Sequence, residues 1–412
     1  MSTLAISPPR TARAFLVAGL TTVAVLLLLL AMPAARAEQT SAEFSEKYNA
    51  GISAYKARDM TKGLAAAKEA RAVAKTNFEK TAALKLTVAI AGASSKYAEE
   101  TDALEQLLTM DSISGPEHVQ FHRALSETYG QLNKLDKAIE HRKEVIKAGG
   151  TPADYDALAT LYFGARNCRD GLEALDRVLV NGKEANESQL KSKDICYAQA
   201  KDQNKLLAVA EELMRRFPKK DYYNQVLTVY EDKKIDDLAI LAMLRYGFDR
   251  DWLDTEVDYL KLADRALDVA TNAEAQRVLE HGIQKKVIKN LEKANRLLKQ
   301  AKDGATEDAK TAAQLDAEAH AGKNGDTDVK LGLRYYSMNQ FEKAADALQR
   351  ALSADRVARV KRPDDANMVL GISFKNLHKK AEAENAFNAA KADPRMAAAA
   401  KLWLGALFEG KK

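Results

Sequence analysis

Apolar residues recur along this chain at the three- and four-residue spacing of amphipathic helices, and small residues recur at fixed places among them. Between Val329 and the C-terminus one such pattern occurs three times. In each copy a leucine and a glycine stand together and an aromatic residue follows; the copies are Leu331-Gly332 with Tyr335, Leu370-Gly371 with Phe374, and Leu404-Gly405 with Phe408. The glycines lie 39 and 34 residues apart. A period near 34 residues predicts tandem pairs of helices joined by a turn.

The first two copies continue into a second helix, with another small residue twelve positions after the glycine, at Ala344 and Ala383. Small residues at both places let two helices approach closely, while the aromatic residue fills the gap to the next pair. In this register the chain resembles the tetratricopeptide repeat family. The resemblance implies an all-α fold, an α-solenoid of antiparallel helix-turn-helix repeats.

The same register recurs in weaker form upstream and predicts how the chain is divided. Gly51 and Gly63 match it and place the start of the array near Phe44. The predicted segments are a signal peptide at 1–37, degenerate helical repeats at 38–282, a lysine- and alanine-rich helical connector at 283–324, and repeats with a capping helix at 325–412. Residues 259–288 are similar to envelope tetratricopeptide proteins of Gram-negative bacteria, a resemblance that brings no catalytic residues with it.

The N-terminus has the order of a secretory signal peptide. A cationic start precedes an apolar run at 14–31, and the motif Ala35-Arg36-Ala37 follows, which predicts cleavage after Ala37 and a periplasmic protein. The alternative is an uncleaved inner-membrane anchor, because 18 apolar residues reach the lower limit for crossing a bilayer. Cleavage would lower the formal charge from +5 to +2, since three arginines and no acid would be lost. A nearly neutral protein gives no electrostatic support for nucleic-acid binding.

The only two cysteines, Cys168 and Cys196, both follow the predicted signal peptide. Cys168 falls near the start of the second helix of one repeat, and Cys196 falls near the end of the first helix of the next. Adjacent helices in such an array are antiparallel, so these two ends should be neighbours. We therefore predict a disulfide, which an oxidising compartment would favour. Two separate buried thiols are the alternative.

Motifs that carry chemistry are weak in this sequence. His118 and His122 would share a helix face, but Val119 stands where a zinc peptidase carries its glutamate and no third ligand is marked, so no metal site is predicted. Acidic pairs such as Asp236-Asp237 and Asp364-Asp365 are interpreted as helix caps. No nucleophile elbow or phosphate-binding loop occurs. We expect no catalytic residues and no cofactor.

Binding is the function that the resemblance implies, because stacked repeats form a concave groove lined by the first helix of each pair. The positions that face the groove in the family are here Asp156, Thr160, Phe163, Val329, Leu333, Tyr336, Met368, Ile372, Lys375 and Asn376. Chaperone-docking members of the family carry lysine and asparagine where this chain has Val329, Leu333, Met368 and Ile372, so that activity is not implied. An apolar groove suits an amphipathic helix or an extended peptide. The alternative is that these side chains pack against a neighbouring helix or a second subunit.

The sequence thus predicts a non-enzymatic scaffold that binds a protein or peptide partner in the bacterial envelope. A membrane-anchored assembly factor that keeps residues 14–31 is one alternative, and a cell-wall enzyme whose site is assembled across repeats is another. Neither the partner nor the oligomeric state follows from the sequence.

Overall fold

The computed structural model describes residues 40–180, 182–322 and 324–408. The predicted signal peptide, its cleavage after Ala37 and the alternative anchor at 14–31 lie outside these residues. Within them every regular element is helical and no strand occurs. This confirms the predicted all-α fold.

Twenty α-helices form the described part of the chain, and most of them are joined by short turns. A 3-10 turn, Val357–Arg359, lies between α17 and α18. The helices are α1 (Ala42–Lys56), α2 (Met60–Val73), α3 (Asn77–Ala93), α4 (Tyr97–Leu108), α5 (Gly115–Gln131), α6 (Leu135–Lys147), α7 (Pro152–Gly164), α8 (Cys168–Val178), α9 (Glu187–Gln199), α10 (Gln203–Arg216), α11 (Lys220–Asp232), α12 (Asp237–Asp249), α13 (Glu256–Asp268), α14 (Asn272–Gln284), α15 (Leu291–Ala321), α16 (Gly325–Ser337), α17 (Phe341–Ala351), α18 (Pro363–Asn376), α19 (Lys380–Lys391) and α20 (Ala397–Phe408).

One turn geometry makes the pairs antiparallel. Arg58, between α1 and α2, has a left-handed backbone with φ of 59°, and the next N–H, of Asp59, donates to the carbonyl of Ala54 at 2.9 Å. This is the helix-ending arrangement in which a left-handed residue reverses the chain direction. The same left-handed conformation occurs at ten further non-glycine residues, each between two helices: Ser95, Asn133, Arg166, Lys201, Lys234, Asp251, Ala270, Lys286, Asn339 and His378.

The glycines of the repeat pattern differ in what they allow. A Cβ placed on Gly332 would lie 2.6 Å from Leu348 Cγ, and one on Gly371 would lie 2.5 Å from Phe387 Cδ1. Only glycine lets the paired helices approach this closely. At Gly405, by contrast, a Cβ would meet no atom of the described residues within 4 Å, so no neighbouring side chain requires a glycine there.

The chain divides into two compact units between Gln189 and Leu190, within α9. Unit 1 contains α1 to α8 and the start of α9. Its buried side chains form two clusters, one around Phe44 and Ile90 and one that includes Leu125 and Tyr129. Each helix pair of unit 1 therefore buries its apolar face against the next pair.

Unit 2 begins at Leu190 and is organised around α12. Nine consecutive residues of this helix, from Ala239 to Gly247, are buried, so α12 has no solvent-exposed face over that length. Helices α18 and α20 pack against it. The Trp403 Nε1–H of α20 donates to the carbonyl of Ala242 at 2.9 Å. Trp403 thus fixes α20, the last helix of the predicted segment at 325–412, to α12; the side chain of Phe408 lies outside the described residues.

The predicted segment boundaries at 282/283 and 324/325 both fall inside unit 2. Most of the predicted connector at 283–324 is the single long helix α15, which buries Ala294, Leu297 and Ala301 and leaves Leu291 half exposed. The connection between α17 and α18 contains the 3-10 turn.

Candidate functional site

In unit 1 the predicted binding residues all lie on α7. Thr160 is exposed, and its hydroxyl donates to the carbonyl of Asp156 at 2.9 Å. Asp156 is half-buried and accepts a hydrogen bond from Gln189 Nε2 at 2.6 Å. Phe163 is also half-buried, with its ring over Gly171 of α8, where a Cβ would lie 2.5 Å from Phe163 Cε1. These three side chains are accessible from solvent along one helix.

In unit 2 the predicted groove residues lie on α16 and α18, and several are covered. Met368, Ile372 and Tyr336 are buried, while Val329 and Leu333 are half-buried and Asn376 is exposed. Because α18 packs against α12 and α20, the chain's own helices cover this face. The alternative interpretation, packing against a neighbouring helix, matches the burial of Met368 and Ile372. A role in partner binding stays a prediction.

Ion pairs hold α12 and α18 together at both ends. Asp236 caps α12 by accepting from the Leu238 N–H at 3.0 Å, and it also accepts two hydrogen bonds of 3.0 Å from Arg362, just before α18. At the other end, Lys375 donates to both carboxylate oxygens of Asp249 at 2.6 and 2.8 Å. The N-terminal ends of α12 and α18 are paired with each other, and so are their C-terminal ends. The two helices therefore run parallel.

A buried polar cluster links α12, α14 and α16. Arg245 of α12 donates to both oxygens of Glu274 on α14, at 2.8 and 2.7 Å. Tyr336 donates its hydroxyl to Glu274 Oε1 at 3.2 Å, and Arg245 lies over the Tyr336 ring, 5.0 Å from its centroid. Burial opposes the charge on Glu274, but the charge and hydrogen bonds of Arg245 outweigh it and lower the pKa of Glu274.

Asp365 stands near this cluster at the start of α18. Its side chain is buried, and its Oδ1 accepts no hydrogen bond within the described part of the chain. Burial raises the pKa of Asp365 to about 6, although Arg245 and Arg362 act in the opposite direction. The predicted cap at Asp364-Asp365 is wrong, because no side chain caps α18; Asp364 instead pairs with Arg362 at 2.6 Å. Sequence reasoning missed the cluster, and the one local signal was an arginine inside the apolar helix α12.

Unit 1 contains its own buried charges. Asp154 at the start of α7 accepts from Arg123 of α5 and from Arg142 of α6, each at 2.9 Å. Burial opposes the charge on Asp154, but Arg123 and the Thr151 N–H outweigh it, so the pKa of Asp154 is lowered. Glu100 on α4 is buried, no basic side chain pairs with it among the described residues, and burial raises its pKa to about 7. Asp154 and its two arginines link α5, α6 and α7, whereas the folded state favours the protonated, uncharged form of Glu100.

His118 and His122 both lie on α5, and the side chain of His122 contacts a third histidine. His122 pairs with His141 of α6, with their Nδ1 atoms 2.9 Å apart, and the His141 ring stacks on Tyr129 at 5.6 Å. Burial lowers the pKa of both imidazoles, so one neutral ring donates to the other. In the described ranges no group of three or more His, Cys, Asp or Glu side chains is placed to hold a metal ion.

Cys168 and Cys196 are bonded to each other, which confirms the predicted disulfide. Among residues 40–180, 182–322 and 324–408, none of the helices combines the length and the apolar composition needed to cross a bilayer.

Comparison with known proteins gives only distant structural likeness. No protein-family model and no curated protein matches the chain. A tetratricopeptide repeat protein from Parabacteroides merdae is 15% identical over 63% of this chain and 99% of its own, with a TM-score of 0.35. The maize pentatricopeptide repeat protein PPR10 is 16% identical over 92% of this chain and 60% of its own, with a TM-score of 0.34. The TPR2AB domain of yeast Sti1, in its complex with pHSP90, is 16% identical over 63% of this chain and 98% of its own, with a TM-score of 0.31. At these TM-scores the likeness is too distant to assign a family or a function.

Proposed function

We propose that this protein is a non-enzymatic scaffold that binds a protein or peptide segment on the α7 face of unit 1. The observation that carries the proposal is the accessibility of this face. Thr160 is exposed, and Asp156 and Phe163 on the same helix are half-buried, whereas Met368 and Ile372 at the corresponding repeat positions are buried under the chain's own helices. A half-exposed aromatic ring beside a carboxylate and a hydroxyl can hold an apolar side chain and orient the segment that carries it.

The site of action that we propose is the bacterial envelope, with the protein released into the periplasm. The signal-peptide pattern that ends at Ala37 supports this, and so does the disulfide between Cys168 and Cys196, because disulfides persist in oxidising compartments. Cell fractionation with a high-salt wash tests it. Recovery of the protein in the periplasmic fraction is the expected result, and retention in the washed inner membrane would instead favour the anchored assembly factor.

Binding on the α7 face is tested with Thr160→Arg, which places a long cation on the surface without disturbing a buried residue. The matched control is Thr306→Arg on α15, because Thr306 is also exposed and its hydroxyl makes the same bond, to the carbonyl of Lys302 at 2.8 Å. Partners captured from envelope extract by the wild type should be lost with Thr160→Arg and kept with Thr306→Arg. Equal capture by both variants would show that the α7 face is not the binding surface.

A further inference from the structure

A cleft of about 390 Å³ lies within unit 2, where α10 and α11 face α19 and α20. Four buried side chains contribute to its floor, and they are Met214, Val226, Tyr246 and Leu402. Its volume falls in the range of small-molecule sites, roughly 300–1,000 Å³. The repeat pattern did not predict this cleft, which arises because α20 packs back on α10 and α12.

The rim of the cleft carries a surplus of positive charge. Glu211 already accepts from the Tyr230 hydroxyl and from Lys401 Nζ, the latter at 3.3 Å, and Glu212 accepts from Arg216 at 2.9 Å. Arg215 and Lys391 also line the cleft and are exposed, and no carboxylate pairs with either of them within the described residues. An anionic group would therefore find two available cations at the edge of an apolar surface.

The walls of the cleft favour a hydrocarbon chain over a peptide. Its lining residues belong to helices α10, α11, α12, α19 and α20, which bond most of their backbone N–H and C=O groups internally. An extended peptide lying on Met214, Val226 and Leu402 would leave the backbone groups that face the cleft without partners, which costs free energy. An alkyl chain has no such groups and gains from every methylene that leaves water.

We infer that this cleft binds an alkyl chain that ends in a carboxylate, with the chain over the apolar floor and the carboxylate at Arg215 and Lys391. The inference is independent of partner binding on α7, because it concerns a different unit and a different class of ligand. It gives unit 2 a small-molecule site of its own.

Gly405 offers a way to close the cleft without disturbing the fold. It lines the cleft, and a Cβ placed on it meets no atom within 4 Å. Gly405→Leu would therefore put a side chain into open space, and it would replace a helix-weakening residue with a strong helix former. Gly115→Leu in unit 1 is the matched control, because a Cβ on Gly115 also meets nothing within 4 Å.

The test is calorimetric titration of the purified protein with octanoate, decanoate and dodecanoate. We expect saturable binding that tightens about fourfold for each added methylene while the chain still fits, from the usual transfer free energy of a buried methylene. Gly405→Leu should weaken decanoate binding at least tenfold, whereas Gly115→Leu should leave it unchanged. Absence of saturable binding, or equal affinity of the two variants, would overturn the inference.

The cations are tested separately with the double variant Arg215→Gln and Lys391→Gln. It should weaken decanoate about tenfold and leave 1-decanol unaffected, because only the carboxylate requires the charges. The control is Lys330→Gln on α16, an exposed lysine away from the cleft. A loss of decanoate affinity in Lys330→Gln as large as in the double variant would mean that net charge, and not this rim, holds the carboxylate.

Discussion

The two units present the same repeat positions to different surroundings. On α7 of unit 1, Asp156 and Thr160 remain accessible to solvent. On α18 of unit 2, Met368 and Ile372 stand at equivalent places and are buried. The cause is not the local pattern, which is better preserved in unit 2. The cause is α12, a helix apolar on all sides, against which α18 packs.

This difference shows that a groove position in a helical repeat is not by itself a binding position. In unit 2, Met368 and Ile372 of α18 are buried, and ion pairs at both ends of α12 fasten α18 to it. In unit 1 the charges of Asp154, Arg123 and Arg142 are satisfied among α5, α6 and α7. These charges do not cover Asp156 and Thr160, which stay accessible to solvent.

The strongest way to break this comparison is to remove the arginine at the centre of unit 2. Arg245→Ala should lower the free energy of unfolding of unit 2 by about 3–5 kcal/mol, because Glu274 would stay buried without its partner. Both tryptophans, Trp252 and Trp403, belong to unit 2, so urea unfolding followed by tryptophan fluorescence reports on this unit.

Its control removes both charges and keeps the shape. Arg245→Met combined with Glu274→Gln should recover most of the loss, because the amide oxygen still accepts from Tyr336 and no unpaired charge is buried. If the single variant were as stable as this double variant, the pair could not be a buried one.

A second prediction concerns the buried acid of unit 1. Glu100 has a folded-state pKa of about 7, above its unfolded value, so folding favours the protonated form. Its contribution is fully present below the unfolded pKa of about 4.3 and is lost as pH rises through 7. Glu100→Gln should therefore stabilise unit 1 by about 2–3 kcal/mol at pH 8 and leave it unchanged at pH 4.

Hydrogen exchange of the α3 to α5 amides, measured by mass spectrometry at both pH values, checks this prediction and separates unit 1 from unit 2. Glu99→Gln is the matched control, because Glu99 neighbours Glu100 on α4 and is only half-buried. Equal protection of the wild type and Glu100→Gln at pH 8 would mean that Glu100 is solvated.

Much of the fold could be predicted from the sequence because its determinants are local. A glycine is required where two paired helices approach closely, as at Gly332 and Gly371, and its spacing can be recognised within a few tens of residues. The disulfide was predictable for a similar reason, since Cys168 and Cys196 lie at helix ends of successive pairs.

The packing of α12 and α20 against α18 could not be predicted in the same way. Asp236 and Arg362 are 126 residues apart in sequence, as are Asp249 and Lys375, and no period of the chain relates them. Apolar side chains such as Met368 suit a groove and a core equally well. The informative signal was the apolar run Ile240-Leu241-Ala242-Met243-Leu244, because a helix apolar on every side has to be surrounded.

The smallest predicted effect on stability tests the difference between the two units most directly. It concerns Lys375, which could face a binding groove or could hold α18 against α12. Lys375→Glu would place a second carboxylate beside Asp249, and each of these two side chains is only about a quarter exposed. It should lower the free energy of unfolding of unit 2 by about 1 kcal/mol, the upper end for pairs of this exposure. If α18 presented an open groove, the substitution would leave stability unchanged.

Two further variants make this outcome decisive. Lys330→Glu, the same substitution at an exposed lysine of α16, should change the stability of unit 2 by less than about 0.5 kcal/mol. Exchanging the charges with Lys375→Glu and Asp249→Lys should restore most of the loss, because the ion pair re-forms with its direction reversed. Recovery of stability in the exchange variant would place the face of α18 in the core of unit 2. A loss of stability as large as in Lys375→Glu alone would assign the effect to Lys375 itself. The ammonium group of Lys375 also lies 5.5 Å from the centroid of the Trp403 ring.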